Sequence, residues 1–365
     1  MVRKVSPSIH VFRDGGYFGF LRGFPDRPPS INMDEGSNIK MTLLGEFQNI
    51  IYDQNGKKHE FDPLTDELVP VLSINGKSYR LGIYIPTSCA PRYNDVSSQE
   101  VLSIEAYDRC WLPLTTTGAN RVYFKKGTSY LDAVESLLAA SGVGVINRDK
   151  NSDANKQVFM EDREDWDLGT NYLTIINQLL NEINFSQLWF NNIGEAMLRP
   201  ISTPTVKNIQ HSLSTKNPST LVHPGLSRTT DLYRTPNVFI CSCNNPEKTY
   251  SMTAIAKNTN EYSPLSIQRR GREIVQFEKV DNISSQQALQ NYADRLLFES
   301  LMSGETYDVT TSLLPGWGVG DVVSLTYQDV HALCVSRSWN MQLKAGGIMQ
   351  HKLEKIVYNF DSNAG

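Results

Sequence analysis

Short β-favouring runs divided by turn chemistry fill the stretch from Ile39 to Leu114, and this alternation constrains the fold more than any other feature of the chain. The runs Ile39 to Phe47, Val69 to Ile74 and Tyr79 to Ile85 are separated by Asp53-Gln54-Asn55-Gly56-Lys57 and by Asn75-Gly76-Lys77. Each Asn-Gly pair predicts a hairpin, because Asn and Gly accept the positive φ that a type I′ turn requires. The region reads as an antiparallel meander. Next, Glu100 to Trp111 sets Val101, Ser103, Glu105 and Tyr107 against Leu102, Ile104 and Ala106, the period of two expected of a strand with one face in the core.

Helical signals are fewer. Thr128-Ser129 precedes Tyr130 to Ala140, where apolar residues recur at steps of three and four and Gly142 follows the end. A second helix is predicted over Tyr172 to Ile183, after Gly169-Thr170-Asn171, with Leu173, Ile176, Leu180 and Ile183 on one stripe. A strand Gln187 to Phe190, a turn at Asn191-Asn192 and a strand to Arg199 complete a small α/β module. The longest helix is predicted from Ser284-Ser285 to Met302, closed by Ser303-Gly304. Around it the strands are Val238 to Cys243, Tyr250 to Lys257, Ile274 to Val280, Tyr307 to Leu313, Asp321 to Tyr327 and Lys352 to Phe360. The segment from Ser202 to Arg234, with Pro204, Pro218, Pro224 and many small polar residues, reads as connecting chain.

Composition removes several function classes. The chain has 365 residues, 40% hydrophobic and 20% charged, with 35 basic against 39 acidic side chains and a net charge of −4. No global field draws it to nucleic acid or an anionic membrane, so sequence-specific nucleic-acid binding and membrane insertion are not expected. No apolar run has the roughly 18 residues a span needs, and the basic start Met1-Val2-Arg3-Lys4 has no apolar stretch behind it, so no secretory signal is expected. Five scattered cysteines, Cys89, Cys110, Cys241, Cys243 and Cys334, are the usage of a reducing compartment and predict free thiols.

No catalytic, cofactor-binding or metal-binding set emerges. Gly316-Trp317-Gly318-Val319-Gly320-Asp321 leads into a strand where a phosphate loop would lead into a helix, and Asp14-Gly15-Gly16 has no strand before it and no helix after it. The acidic run Glu161 to Asp167, with Trp166 inside it, invites comparison with a glycoside hydrolase, but catalytic carboxylates normally come from separate elements. Cys241 and Cys243 lie two apart on a predicted strand, the wrong spacing for a zinc pair. None of the six histidines sits in a ligand motif. Arg269, Arg270 and Arg272 form the one dense basic cluster, which reads equally as a solvated hairpin tip or as a candidate partner interface, the expected target in the second case being a protein carboxylate.

The order Ser263 to Ile274, helix 284–302, Tyr307 to Leu313 and Gly316 to Tyr327 resembles baseplate hub and tail-tip proteins of bacteriophages and related contractile injection particles. Phe61 to Pro70, followed by Val71 to Leu81 and Gly82 to Thr87, is similar to the equivalent segment of such proteins from phages of Gram-positive hosts, as is the Tyr172 to Ile183 helix with its hairpin. The resemblance covers roughly residues 40 to 360; Phe12 to Pro29 matches no known pattern. It implies a β-rich α+β fold with two tail-tube-like β-barrel domains and an inserted α/β domain. The expected divisions are 1–125 for the first barrel region, 126–205 for the α/β module and 206–365 for a second β-rich region that can help complete the first barrel.

It further implies a non-enzymatic homotrimer in a virion tail, assembled in a bacterial cytoplasm. Three chains with two barrels each would form a ring continuing the tail tube, with partners in the tail tube or distal tail protein, the spike or tail-tip protein, and the tape-measure protein. Some relatives carry a carboxy-terminal hydrolase, for which a chain ending at Gly365 leaves no room. The alternative is a carbohydrate-binding or carbohydrate-hydrolysing tail protein, suggested by 14 Phe, 16 Tyr and 5 Trp and by the acidic loop around Trp166.

Overall fold

The structure, a computed structural model, describes residues 3–356 apart from 95–98, 151–152, 202–203, 217–221, 231–234, 245–250, 262, 281–282, 284 and 303–304. The expected helix start at Ser284, its stop at Ser303-Gly304, the strand start at Tyr250 and the strand end beyond residue 356 lie outside the described residues.

Nine strands open the chain: β1 (Val5–Arg13), β2 (Gly16–Gly23), β3 (Ser30–Asp34), β4 (Met41–Tyr52), β5 (Lys58–His59), β6 (Asp66–Ile74), β7 (Lys77–Arg80), β8 (Tyr84–Asn94) and β9 (Gln99–Asp108). Six of them, in the order β1, β2, β4, β9, β8, β6 and back to β1, close an antiparallel barrel. Val11, Leu43, Phe47, Ile51, Leu68 and Leu72 fill it. Leu102, Ile104 and Ala106 are buried, as the alternation in β9 requires. Gly19 lets β2 approach β4, since a Cβ there would sit 2.5 Å from the Tyr52 carbonyl oxygen.

Two turns depart from the sequence reading. Asn75 and Gly76 both have positive φ, as a type I′ turn demands, but in Asn55-Gly56 only the glycine does. There the Asp53 carboxylate accepts from the backbone N–H groups of Asn55 and Lys57 and shapes the turn itself. The expectation that no strand precedes Asp14-Gly15-Gly16 is corrected: β1 does, and the segment is a hairpin tip with Asp14 at φ 52° and Gly15 at φ 74°.

The chain leaves the barrel through α1 (Trp111–Thr115), so Trp111 is helical and not the end of a strand, and continues to α2 (Tyr130–Ala140), β10 (Ile146–Arg148), α3 (Tyr172–Glu182), β11 (Trp189–Phe190) and β12 (Ala196–Leu198). β10 runs parallel to β12, and β11 antiparallel to it. This first α/β module has its own core of Leu131, Val134, Leu138, Ile176, Leu180 and neighbours. It is tied to the barrel at Asp108, whose buried carboxylate accepts from Met41 N–H at 2.8 Å and Cys110 N–H at 2.9 Å. Burial outweighs those bonds and raises the Asp108 pKa to about 6. Beside it the Lys40 ammonium donates to the Glu35 and Ser37 carbonyls and to Gln187 Oε1.

After β13 (Ile209–Ser214) and β14 (Ser227–Thr230) the chain makes an excursion through β15 (Val238–Asn244), β16 (Ser251–Lys257), α4 (Ile267–Arg270), β17 (Val275–Lys279) and α5 (Gln286–Met302). These strands form a separate sheet, β16-β15-β17, with α5 packed on one face through Ala288, Leu289 and Ala293 against Cys241, Cys243, Ala254 and Ala256. The result is a second α/β module. Ser285 caps α5 by accepting from Ala288 N–H at 3.1 Å.

The chain then returns as β18 (Glu305–Ser312), β19 (Val322–Tyr327), β20 (Val330–Gln342) and β21 (Ile348–Lys355). Strands β13, β19, β20, β21, β18 and β14 form a second six-stranded unit in that order. Among the described residues it has no ladder between β13 and β14, though Gly225 N–H donates to Tyr327 Oη on β19 across that gap. The carboxyl half of β20 also pairs with β3, which in turn pairs with β4, so the two units share one continuous sheet and core. At the junction Arg337 on β20 bridges Glu35 and Glu354. The fold is β-rich, with a closed six-stranded barrel and few helices.

Candidate partner interface

The basic cluster sits at the turn that feeds β17. Ser266 Oγ accepts from Arg269 N–H to cap α4, and Gly271, with φ 64°, ends it in the left-handed conformation. Arg270 is half-buried and donates to the Thr235 carbonyl at 2.6 Å, and burial together with the neighbouring Arg272 charge lowers its pKa. Arg269 spends its Nε–H on the Glu261 carbonyl at 2.9 Å. Arg272 is exposed, its carbonyl held by the buried Asn237 amide. The three arginines therefore differ: Arg270 fastens the turn, whereas Arg269 and Arg272 face solvent.

Beyond that turn the apolar pattern of β17 runs backwards. Cys241 of β15 pairs with Glu278 and faces α5, so Gln276 and Glu278 point to the helix side. Val275 and Phe277 point the other way, 50% and 61% exposed. The register sets Phe277 beside Ile240, and Ile240 beside Ile255, which is 49% exposed. A row of large apolar side chains thus crosses the uncovered face of the sheet. Lys257 and Glu273 pair at 2.8 Å over one end of it, and Lys279 stands at the other.

The acidic run is mainly a piece of scaffolding. Arg163 and Phe124 exchange backbone hydrogen bonds, and Asp162 accepts from Lys126 N–H at 2.7 Å and from Tyr123 Oη–H at 2.8 Å. The Arg163 guanidinium is buried and binds Glu182 on α3 in two places, at 2.8 and 3.0 Å. Burial pushes the Glu182 pKa up against the pull of that arginine. Trp166 is buried and donates to Gln178 Oε1, so its ring presents no open platform to a sugar. Glu161 and Glu164 remain exposed and without an ion-pair partner among the described residues, beside Met160 and Leu168, which are 60% and 65% exposed.

The other sequence candidates resolve into packing. Cys241 and Cys243 are buried under α5, and burial raises the Cys241 thiol to about 11. Gly316 to Asp321 is a turn into β19 in which Gly318 N–H donates to Asp321 Oδ2 at 2.6 Å. Among the described residues no group of three or more His, Cys, Asp or Glu could hold a metal ion, and no helix is long and apolar enough to cross a membrane.

No protein-family model matches the sequence, and no curated protein matches it. Solved structures do. The tail protein from Neisseria meningitidis MC58 superposes with a TM-score of 0.63 at 14% identity, over 96% of this chain and 97% of that one. The 43 kDa tail protein of prophage MuSo2 from Shewanella oneidensis gives 0.64 at 10%, over 95% and 98%. A prophage tail protein from Listeria monocytogenes EGD-e gives 0.55 at 12%, over 97% and 95%. The chain has the fold of phage tail proteins. At these identities the likeness concerns architecture, and it extends over both six-stranded units and both modules.

Within this tail-protein fold, sequence reasoning located the arginine cluster but not the apolar face next to it. The signal was present in Val275-Gln276-Phe277-Glu278-Lys279, whose alternation reads as an ordinary half-buried strand. Only the register shows which half is outside.

Proposed function

We propose that this protein is a structural hub or tail-tip component of a phage or phage-like tail, acting as a homotrimeric ring in the virion. The observation that carries the reading is that one chain supplies two six-stranded β units joined through β3, in a fold shared over nearly its whole length with phage tail proteins. Three such chains would offer six units to a six-fold tube. The second unit leaves β13 and β14 without a common ladder, and such edges call for pairing or cover.

In this role the ring joins the tail tube or distal tail protein to the spike or tail-tip protein and surrounds the passage for DNA or the tape-measure protein. It needs no enzymatic centre. The exposed Arg269 and Arg272, rather than the half-buried Arg270, are the members of the cluster able to meet an acidic partner. Light scattering coupled to size exclusion tests the reading: the expected mass is about three times 41.1 kDa. A protein that stays monomeric at high concentration and in the presence of tube and spike partners contradicts it.

A further inference from the structure

The uncovered face of the β16-β15-β17 sheet is built the wrong way round for solvent. Val275, Phe277 and Ile255 are each about half exposed or more, while polar Gln276 and Glu278 take the inward positions of the same strand. Among the described residues its charged border is predominantly basic: Lys257, Lys279, Arg269 and Arg272, against Glu273 and Glu261. The occupant that complements it is apolar at its centre and acidic around it.

The chain itself carries such a surface on its first α/β module. Met160 and Leu168 stand out from the 160–168 loop with Tyr123 beside it, 47% exposed, and the loop displays Glu161 and Glu164. Asp162 and Asp167 are already engaged, with Lys126 N–H and Tyr123 and with Arg121 at 3.9 Å. Lys125 and Lys126 are the remaining cations near the loop. The two surfaces of one chain are not placed to meet. Helix α5 covers the opposite face of the sheet, and it is α5 that touches the first module, through Asn184 Nδ2 on the Ala288 carbonyl and Arg295 on Asn181.

We propose that the Val275–Phe277–Ile255 face receives the 160–168 loop of a neighbouring copy of this chain. The contact is head-to-tail, since the two surfaces lie on different modules, and it rests on the ring reading above. A head-to-tail contact repeats around a ring and closes when the rotation allows. Phe277 fills the apolar centre against Met160 and Leu168, and Lys279 and Arg272 meet Glu161 and Glu164.

Zero-length carboxyl–amine crosslinking of the assembled protein, made from mixed isotopically heavy and light chains, tests this. Crosslinks joining Lys257 or Lys279 of one copy to Glu161 or Glu164 of another are expected. Phe277→Ser should weaken assembly by about thirtyfold or more, and reversal of the loop charges (Glu161→Lys with Glu164→Lys) by about tenfold. Combining that reversal with Arg272→Glu and Lys279→Glu should restore most of the loss, a rescue that a merely unfolded variant would not give. A ring of normal stability whose lysines crosslink elsewhere, or whose assembly ignores these substitutions, overturns the docking proposal and leaves the ring intact. A chain that never assembles overturns both.

Discussion

The first barrel closes around aliphatic side chains with Phe47 and Tyr84, whereas the second six-stranded unit adds to its aliphatic side chains an indole and two imidazoles. Trp317 lies buried between His211, stacked parallel at 4.1 Å, and His351, tilted at 4.2 Å. These histidines come from β13 and β21, strands that are not neighbours in the sheet, so the indole spans the interior where no ladder closes the unit. His211 Nε2 lies 3.0 Å from Asp321 Oδ2. The Thr311 hydroxyl donates to the Ser312 carbonyl, which leaves its oxygen to accept from His351 Nε2–H at 2.9 Å. In the closed barrel the Tyr84 hydroxyl, donating to the Leu81 carbonyl, is one polar group in the core; in the second unit ring stacking and polar contacts add to aliphatic packing.

The sharpest way to break this comparison is Trp317→Ala. It should cost about 3–5 kcal/mol, in the range for emptying a large buried aromatic site. Hydrogen exchange should show the loss in β18 to β21 first, with the closed barrel retaining its protection. Equal loss of protection in both units would mean that Trp317 has no special place in the second.

The complementary change is Gly19→Ala in the closed barrel, where a Cβ would press on the Tyr52 carbonyl oxygen and the Ile51 side chain. Backbone cannot yield as a flexible side chain does, so a loss of about 3 kcal/mol is expected, read from denaturant midpoints at constant m-value. A neutral result would show that β2 and β4 have room to part.

A smaller effect separates the two units by sign. Burial and the nearby His211 lower the His351 pKa to about 3, below its unfolded value near 6.5. The unfolded chain therefore binds the extra proton first, and this group's contribution falls as pH drops through that window, by about 2 kcal/mol between pH 6.5 and 5. Asp108, raised to about 6, acts oppositely: the folded state takes up its proton first, so its contribution grows as pH falls from 6 toward 3.8. Stability measured against pH should fall less steeply between pH 6.5 and 5 in His351→Leu and more steeply in Asp108→Asn than in the unchanged protein.

The same contrast explains what was legible in the sequence. The helix at Tyr130–Ala140 was readable because its stripe and Gly142 agree, even though Ser129 at its N-cap makes no side-chain cap bond. The hairpin β1–β2 carries its own signal in Asp14-Gly15, a type I′ pair as good as Asn-Gly, but a reading that weighs these glycines only as a phosphate loop hides it. Strand β20 escaped because its amino half pairs with β19 and its carboxyl half with β3, with a register shift between Ser336 and Ser338. No single alternation survives such a change of partners. The Trp317 cluster drew residues from β13, a turn and β21, a convergence that only the fold creates. Of the candidate interface, the arginines were visible as a run, while the apolar row depends on cross-strand register between residues 240, 255 and 277.

Electron-microscopy class averages of the assembled protein test the central claim most directly. The account predicts a closed ring of three chains around an open centre, in which the two six-stranded units of each chain alternate so that the ring looks nearly six-fold at low resolution and three-fold at higher resolution. Isolated particles the size of one chain, or open filaments with no closure, would contradict it.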